Sequence, residues 1–148
     1  MKKFIVYSFL SIFGMLSLAA QDLSKNEVPS VILNNFQSTF PDANDIEWEK
    51  KGEQYKVEFE VGYWNEDRSA WYNKEGRLLR HIQEISKKDL PDIVYQNINK
   101  DYKWYIITDT KRITEGQETT FQVELKSFTK EWEVLYDESG KIVSKKRD

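Results

Sequence analysis

The fold is decided by residues 54–61, QYKVEFEV, in which apolar and charged side chains alternate. Alternation with a period of two is typical of a β-strand that has one buried and one solvent-facing side. The pattern returns at residues 121–126, FQVELK. The motifs around these strands return as well: Val28-Pro29 as Leu90-Pro91, Gly52 as Gly116 and Gly76 as Gly140. We therefore predict that the second half of the chain repeats the first.

Each repeat is predicted to be one helix followed by four strands. Val31, Ile32 and Phe36 recur at helical spacing after Pro29, which suits the first turn of a helix because proline lacks an N–H group. Residues 73–76 are predicted to form a hairpin turn, since the glycine at its end can adopt a positive φ.

The predicted fold class is α+β. It is a tandem duplication of a helix plus four-stranded antiparallel sheet unit, in two layers with the helices on one face. The first α+β repeat is expected over 21–86 and the second over 87–148, together forming one compact tandem domain. Phe59 and Val123 are predicted to be core residues beneath the two helices.

Residues 1–20 are predicted to be a signal peptide. Lys2-Lys3 precedes an apolar run from Phe4 to Leu18, and Ala19-Ala20 supplies small residues before the expected cleavage point. The run is short for a membrane span, although a retained N-terminal anchor is the alternative interpretation. We therefore expect a periplasmic or secreted protein with no membrane association after cleavage.

Composition excludes several classes of function. The chain contains no cysteine, which excludes disulfides, thiol catalysis and cysteine metal sites. It has 25 acidic and 22 basic residues and a net charge of −3, without a basic stripe, so we expect no nucleic-acid partner. No glycine-rich phosphate loop is present, and no cofactor is expected.

Catalytic residues are not predicted. His81 is the one histidine, and no nucleophile signature accompanies it, so we interpret it as a packing or surface residue. Carboxylates two residues apart, such as Glu58 and Glu60, follow automatically from the polar side of a strand. We expect a protein that is not an enzyme. A hydrolase is the third hypothesis, after a protein-binding module and a small-ligand or calcium-responsive module.

Metal ligands are also not predicted. Residues 42–49 and 65–67 contain several carboxylates, but neither run matches an EF-hand loop. A weak calcium site is kept as an alternative.

The solvent-facing side of the sheet is the predicted partner-binding surface. If Ala70 and Tyr72 point inward, alternation turns Trp71 outward, and Tyr63 and Trp64 lie near the tip of the preceding hairpin. Large aromatic side chains dominate the energetics of protein interfaces. The other interpretation is that these rings cover the seam between the repeats. The same surface is predicted to include five carboxylates, which are Glu58, Glu60, Glu124, Glu131 and Glu133.

A family resemblance rests on a set of short motifs. They are Val28-Pro29, Phe36, Phe40-Pro41, Ala43, Ile46, Trp48, the strand 55–59 and the turn 72–76, repeated from Leu90-Pro91 through Tyr136 to Gly140. This pattern resembles the PepSY-like periplasmic proteins, whose fold is similar to that of the β-lactamase inhibitory protein. The resemblance implies a duplicated α+β architecture and a binding or inhibitory role, and it supplies no catalytic residue.

The expected function is therefore that of an exported, non-enzymatic binding module. It binds a protein partner through the solvent-facing sheet surface and the aromatic hairpin, and an inhibitor-like role is one form of this function. The alternative is a small-ligand or calcium-responsive periplasmic module.

Overall fold

The structure is a computed structural model that describes residues 21–63 and 65–147. The predicted signal peptide, residues 1–20, lies outside the described residues, and so does Trp64.

The elements follow one another with short connections. The first part of the chain contains β1 (Gln21–Leu23), α1 (Ser30–Thr39), β2 (Ala43–Lys51), β3 (Gln54–Val61), β4 (Glu66–Tyr72) and β5 (Leu78–Glu84). The second part contains α2 (Asp92–Asp101), β6 (Ile106–Glu115), β7 (Glu118–Lys126), β8 (Glu131–Asp137) and β9 (Ile142–Arg147). Short 3₁₀ turns, Lys25–Glu27 and Lys87–Asp89, precede the helices. Of the helices that the structure describes, neither is long and apolar enough to cross a membrane.

The nine strands among the described residues form one antiparallel sheet in which the spatial order is the sequence order. The predicted fold class, a two-layer α+β duplication of four-stranded units, is therefore wrong. The protein is mostly one continuous nine-stranded sheet with two short helices. The physical reason is that β5 pairs on both sides, with β4 and with β6, where Ile82 lies opposite Ile113. This pairing satisfies backbone groups that a four-stranded unit would leave unpaired at its edge.

The core consists of two buried clusters, one under each helix. Phe59 of β3 packs with Ile32 and Phe36 of α1 in the first cluster. Val123 of β7 packs with Ile98 of α2 in the second. Phe59 is 2% exposed and Val123 is 0% exposed, so the prediction that both are core residues is confirmed.

Each helix is tied to the sheet by the same polar contact. Asn35 Nδ2 donates a hydrogen bond of 2.8 Å to the carbonyl oxygen of Gly76, and Asn97 Nδ2 donates one of 2.8 Å to that of Gly140. The two glycines have φ values of +83° and +81°, in the left-handed region that favours glycine. A Cβ atom at either glycine would lie 2.8 Å from the asparagine Nδ2, so both turns require glycine for two reasons.

Candidate functional site

The candidate site is the side of the sheet opposite the helices, which we call the open face. Residues that lie opposite each other on neighbouring antiparallel strands point to the same side. One row of such residues links the two buried clusters across β3 to β7, namely Val57, Ala70, His81, Thr114 and Thr119. The alternate residues, including Glu58, Ser69 and Ile82, point to the open face. Within residues 21–63 and 65–147, both helices lie on the other side of the sheet.

Trp71 of β4 lies on the open face between two cationic side chains. Lys56 Nζ is 5.7 Å and Arg80 Cζ is 5.4 Å from the centroid of its ring. Cations in this position are attracted by the negative face of an indole. Arg80 Nε is 3.0 Å from Glu115 Oε1, and Lys56 forms an ion pair with Glu58. Trp71 is therefore half-buried between cations of the neighbouring strands β3 and β5, and Arg80 connects it to Glu115 of β6.

The predicted carboxylates lie on the open face in two groups. Glu58 and Glu60 belong to β3, whereas Glu124 lies in β7 and both Glu131 and Glu133 lie in β8. Four strand spacings of about 4.8 Å each separate β3 from β7, so the two groups do not form one cluster.

Each group contains one pair of carboxylates that face each other across neighbouring strands, whereas Glu131 lies opposite Lys126 and pairs with it at 3.2 Å. Glu58 lies opposite Glu47, and Glu124 lies opposite Glu133. Glu133 Oε2 accepts a hydrogen bond of 2.9 Å from Gln122 Nε2. Like charges in opposite positions repel, and a cationic partner would relieve that repulsion.

A cleft of about 760 Å³ runs along the acidic part of the open face. Besides Glu58 and Glu60, its lining includes Glu84, Asp109 and the cation Lys111. Lys111 Nζ lies 2.8 Å from Asp109 Oδ2. This hydrogen bond, together with the charges of Asp109, Glu124 and Glu84, raises the pKa of Lys111. Lys111 is thus already matched by a carboxylate, and the cleft remains negative.

The aromatic hairpin between β3 and β4 is described only in part. Tyr63 is 89% exposed at its tip, and Trp64 is outside the described residues. Other strongly exposed apolar residues were missed by the sequence prediction, among them Trp104 (88% exposed), Ile106 (66%) and Phe128 (106%). Phe128 follows an alternating strand just as Tyr63 does, and this signal could have identified it.

His81 is a packing residue in the structure, as the sequence interpretation had it. Its ring centroid lies 5.0 Å from that of Phe40 at the C-terminal end of α1. Burial, reinforced by the positive charges of Arg68 and Arg112, lowers the pKa of His81 to about 4. A neutral histidine against an aromatic ring, with no nucleophile predicted beside it, contributes to packing.

The described residues contain no group of three or more His, Cys, Asp or Glu side chains that could hold a metal ion. The carboxylates of 42–49 and 65–67 are spread over separate strands and turns instead. Their oxygens do not converge as a calcium site requires.

Comparison with protein families confirms the resemblance seen in the sequence. A family model described as "Putative beta-lactamase-inhibitor-like, PepSY-like" matches residues 14–80 and 54–144. The two matches together span both parts of the sheet. No curated protein matches the sequence.

Several solved structures of Bacteroides proteins have a similar fold. A DUF2874 family protein from Bacteroides uniformis has a TM-score of 0.72 at 14% identity, with 80% of this chain and 88% of that chain covered. A BLIP-like protein from Bacteroides fragilis has a TM-score of 0.69 at 20% identity, with 80% and 85% covered. A protein from Bacteroides eggerthii, described as a putative periplasmic protein, has a TM-score of 0.72 at 10% identity, with 81% and 88% covered. At such identities the likeness shows the fold alone.

Proposed function

Because the chain belongs to the PepSY-like, β-lactamase-inhibitor-like family, we propose that it is a non-enzymatic module that binds a protein partner on the open face. The observation that carries this proposal is Trp71, a large aromatic side chain held on a sheet face that neither described helix covers. The contact surface also includes Tyr63, Trp64 and the carboxylates Glu58, Glu60, Glu124, Glu131 and Glu133.

The rigidity of Trp71 supports its role as an anchor. Lys56 and Arg80 hold the ring on both sides, so little side-chain entropy is lost when a partner covers it. Burial of an aromatic ring at the centre of an interface contributes more than burial at the rim. Trp71 lies on an inner strand, β4, and is therefore suited to such a central position.

The charge of the open face selects a cationic partner. The cleft beside Trp71 is lined mainly by carboxylates, and Lys111 is already paired with Asp109. Opposite charges accelerate association and exclude acidic proteins. We expect binding to weaken as salt is raised, because exposed charges are screened over about 8 Å at physiological ionic strength.

The proposed location is the periplasm. Residues 1–20 have the pattern of a signal peptide, and the similar structure from Bacteroides eggerthii is described as a putative periplasmic protein. A fold without disulfides is compatible with that compartment, since its stability comes from the two core clusters.

The test is a pull-down from periplasmic extract with tagged wild type, Trp71→Ala and the control Trp104→Ala. Trp104 is an exposed tryptophan on a connection outside the open face, so its truncation controls for loss of aromatic surface. We expect recovery of a specific partner to fall about tenfold with Trp71→Ala, which corresponds to about 1.4 kcal/mol, and to stay unchanged with Trp104→Ala. Equal recovery by all three proteins, with melting temperatures preserved, would count against the proposal.

An inhibitor-like role is the more specific form of the proposal, and the family description motivates it. Its test is the addition of the protein to purified β-lactamase. Loss of hydrolysis that Trp71→Ala relieves would support inhibition. Unchanged hydrolysis would exclude the inhibitor-like role. The proposal of protein binding would then depend on the pull-down.

A further inference from the structure

A second cleft, of about 470 Å³, lies at the edge of the sheet between α1, β1 and β2. Its wall includes the rings of Phe36, Phe40 and Trp48. The ring centroid of Phe36 is 5.3 Å from that of Trp48 and 5.6 Å from that of Phe40. A concave site with an aromatic wall and this volume is of the size that takes a ligand.

The cleft exists because a small side chain occupies a position that is aromatic in the matching segment. The segments β1-α1-β2 and β5-α2-β6 correspond at an offset of 62 residues, which matches Phe40 with Tyr102 and Ala43 with Tyr105. Tyr105 packs against the second core cluster with its ring centroid 5.5 Å from that of Tyr102. The cavity in that segment, beside Ile85, is about 260 Å³. Alanine at position 43 leaves the corresponding space empty in the first segment.

The cleft borders a free strand edge. The three described residues of β1 pair with Trp48, Glu49 and Lys50 of β2. Among the described residues, the outer edge of β2 from position 43 to 47 therefore has no strand partner. A bulge between Asn44 and Glu47 keeps this free edge short. The N–H of Ala43 already donates a hydrogen bond of 3.2 Å to the carbonyl oxygen of Phe40. The remaining unpaired N–H and C=O groups of a sheet edge can accept an added strand of another chain.

The two sides of this edge differ in chemistry. Trp48 and Leu23 point to the helix side, where the aromatic wall lies. Asp22, Glu47 and Glu49 point to the open-face side, and these three carboxylates outnumber the one cation of the lining, Lys25, so the rim is acidic. Glu49 is paired with Lys51 at 3.0 Å, whereas Asp22 and Glu47 form no ion pair with any residue that the structure describes.

We propose that this edge cleft is a second binding site, centred outside the open-face cleft although Glu47 lines both, for a short extended peptide in which an aromatic residue is flanked by lysine or arginine. Successive side chains of a strand point to opposite sides, so the aromatic ring enters the cleft beside Phe40 and Ala43. Its two basic neighbours then point to the open-face side, where Glu47 and Asp22 lie. Backbone hydrogen bonds to β2 add affinity without regard to sequence, and the alternating pattern provides specificity.

The test is an NMR titration of the protein with the peptide acetyl-Thr-Lys-Phe-Lys-Thr-amide. We expect amide shifts at positions 43–48 and at the Trp48 indole. The variant Ala43→Tyr places in the cleft the side chain that position 105 already carries, and it should weaken binding at least tenfold. Glu47→Lys, at an exposed position, should also weaken binding without affecting the core. Trp104→Ala, remote from the edge, should leave binding unchanged.

Two control peptides separate the contributions. Replacing phenylalanine by alanine removes the ring, and replacing both lysines by glutamate reverses the charge; each change should weaken binding at least tenfold. Binding that is unchanged in folded Ala43→Tyr and Glu47→Lys would overturn the proposal, as would the absence of shifts at about 5 mM peptide. Shifts confined to Trp71 and its neighbours would also overturn it while supporting the open-face proposal, so the two fail separately.

Discussion

The segments β1-α1-β2 and β5-α2-β6 have nearly the same backbone conformation before their helices, but their aromatic side chains occupy different positions. The residue before α1, Pro29, has φ −54° and ψ 136°, and the residue before α2, Pro91, has φ −54° and ψ 138°. The aromatic residue that packs after the helix, however, is Trp48 of β2 in one segment and Tyr105, directly before β6, in the other. A backbone held by the same turns and caps can therefore present an open cleft or a packed surface, depending on where one ring is placed.

The two core clusters show the same contrast. The first is rich in rings and contains Phe36, Trp48, Phe59 and Tyr72. The second is largely aliphatic around Val94, Ile98, Val123 and Leu125, with Phe121 and Tyr136. Aromatic side chains bury more area per residue, so single truncations should destabilise the first cluster more than the second.

The largest expected effect is that of Phe59→Ala. The ring of Phe59 is 2% exposed, and its centroid lies 5.0 Å from that of Phe36 and 4.7 Å from that of Phe40. Its removal should lower the free energy of unfolding by about 3–5 kcal/mol through lost burial and a residual cavity. Urea denaturation of this variant and of Leu125→Ala measures the contrast between the clusters. A smaller loss for Phe59→Ala than for Leu125→Ala would break the comparison.

The next largest effect concerns the two glycine turns, in which the two halves of the chain are alike. Gly76→Ala and Gly140→Ala should each cost about 2 kcal/mol, because both force a side chain into a positive φ and against an asparagine. Gly116→Ala is the matched control, since its φ is +61° and its Cβ would have nothing within 4 Å. It should cost about 1 kcal/mol. Thermal unfolding of the three variants gives the values; unequal losses at 76 and 140 would mean that the two turns are not equivalent.

The smallest effect is the pH dependence due to His81. Its pKa in the folded protein is lowered to about 4 from 6.5, so the folded state binds fewer protons than the unfolded state. The stability that it contributes is complete above pH 6.5 and is lost as pH falls through 4. Because His81 is partly exposed, solvent screening weakens this effect, and we expect the free energy of unfolding to fall by about 1–2 kcal/mol. In the second half of the chain the position of His81, which lies opposite Ala70, is taken by the exposed Lys145 of β9, which lies opposite Val134. This acid sensitivity is therefore restricted to the first cluster.

Unfolding of wild type and His81→Gln at pH 7.5 and pH 4 measures this contribution. The stability of the variant should depend less on pH than that of wild type across this range. An equal dependence in both proteins would show that the carboxylates, and not His81, determine the acid response.

Local patterns in the sequence predicted local features correctly. The alternation in residues 54–61 placed Phe59 in the core, and the glycines that end two hairpins have the expected positive φ. The motifs shared with the PepSY-like family were also sufficient to recognise it. These features depend on residues that are close in the sequence, so a short stretch of sequence is enough to predict them.

Long-range pairing was not predictable in the same way. The alternation shows which sides of β5 and β6 are apolar, but not that their edges meet, and the fold class was wrong for this reason. The neighbours of Trp71 were missed as well, because Lys56 and Arg80 reach its ring only through the register of three strands.

The sequence by itself determined the four strands after each helix, the two helices, the glycine turns and the family, since each depends on side-chain periodicity or on the backbone freedom of single residues; β1 was not predicted. Only the tertiary structure decided that β5 joins everything into one sheet, that Trp71 lies between two cations, and that Ala43 leaves a cleft beside Phe40. Edge pairing and empty volume are properties of groups distant in sequence, and their free energies depend on which surfaces meet when the chain is folded.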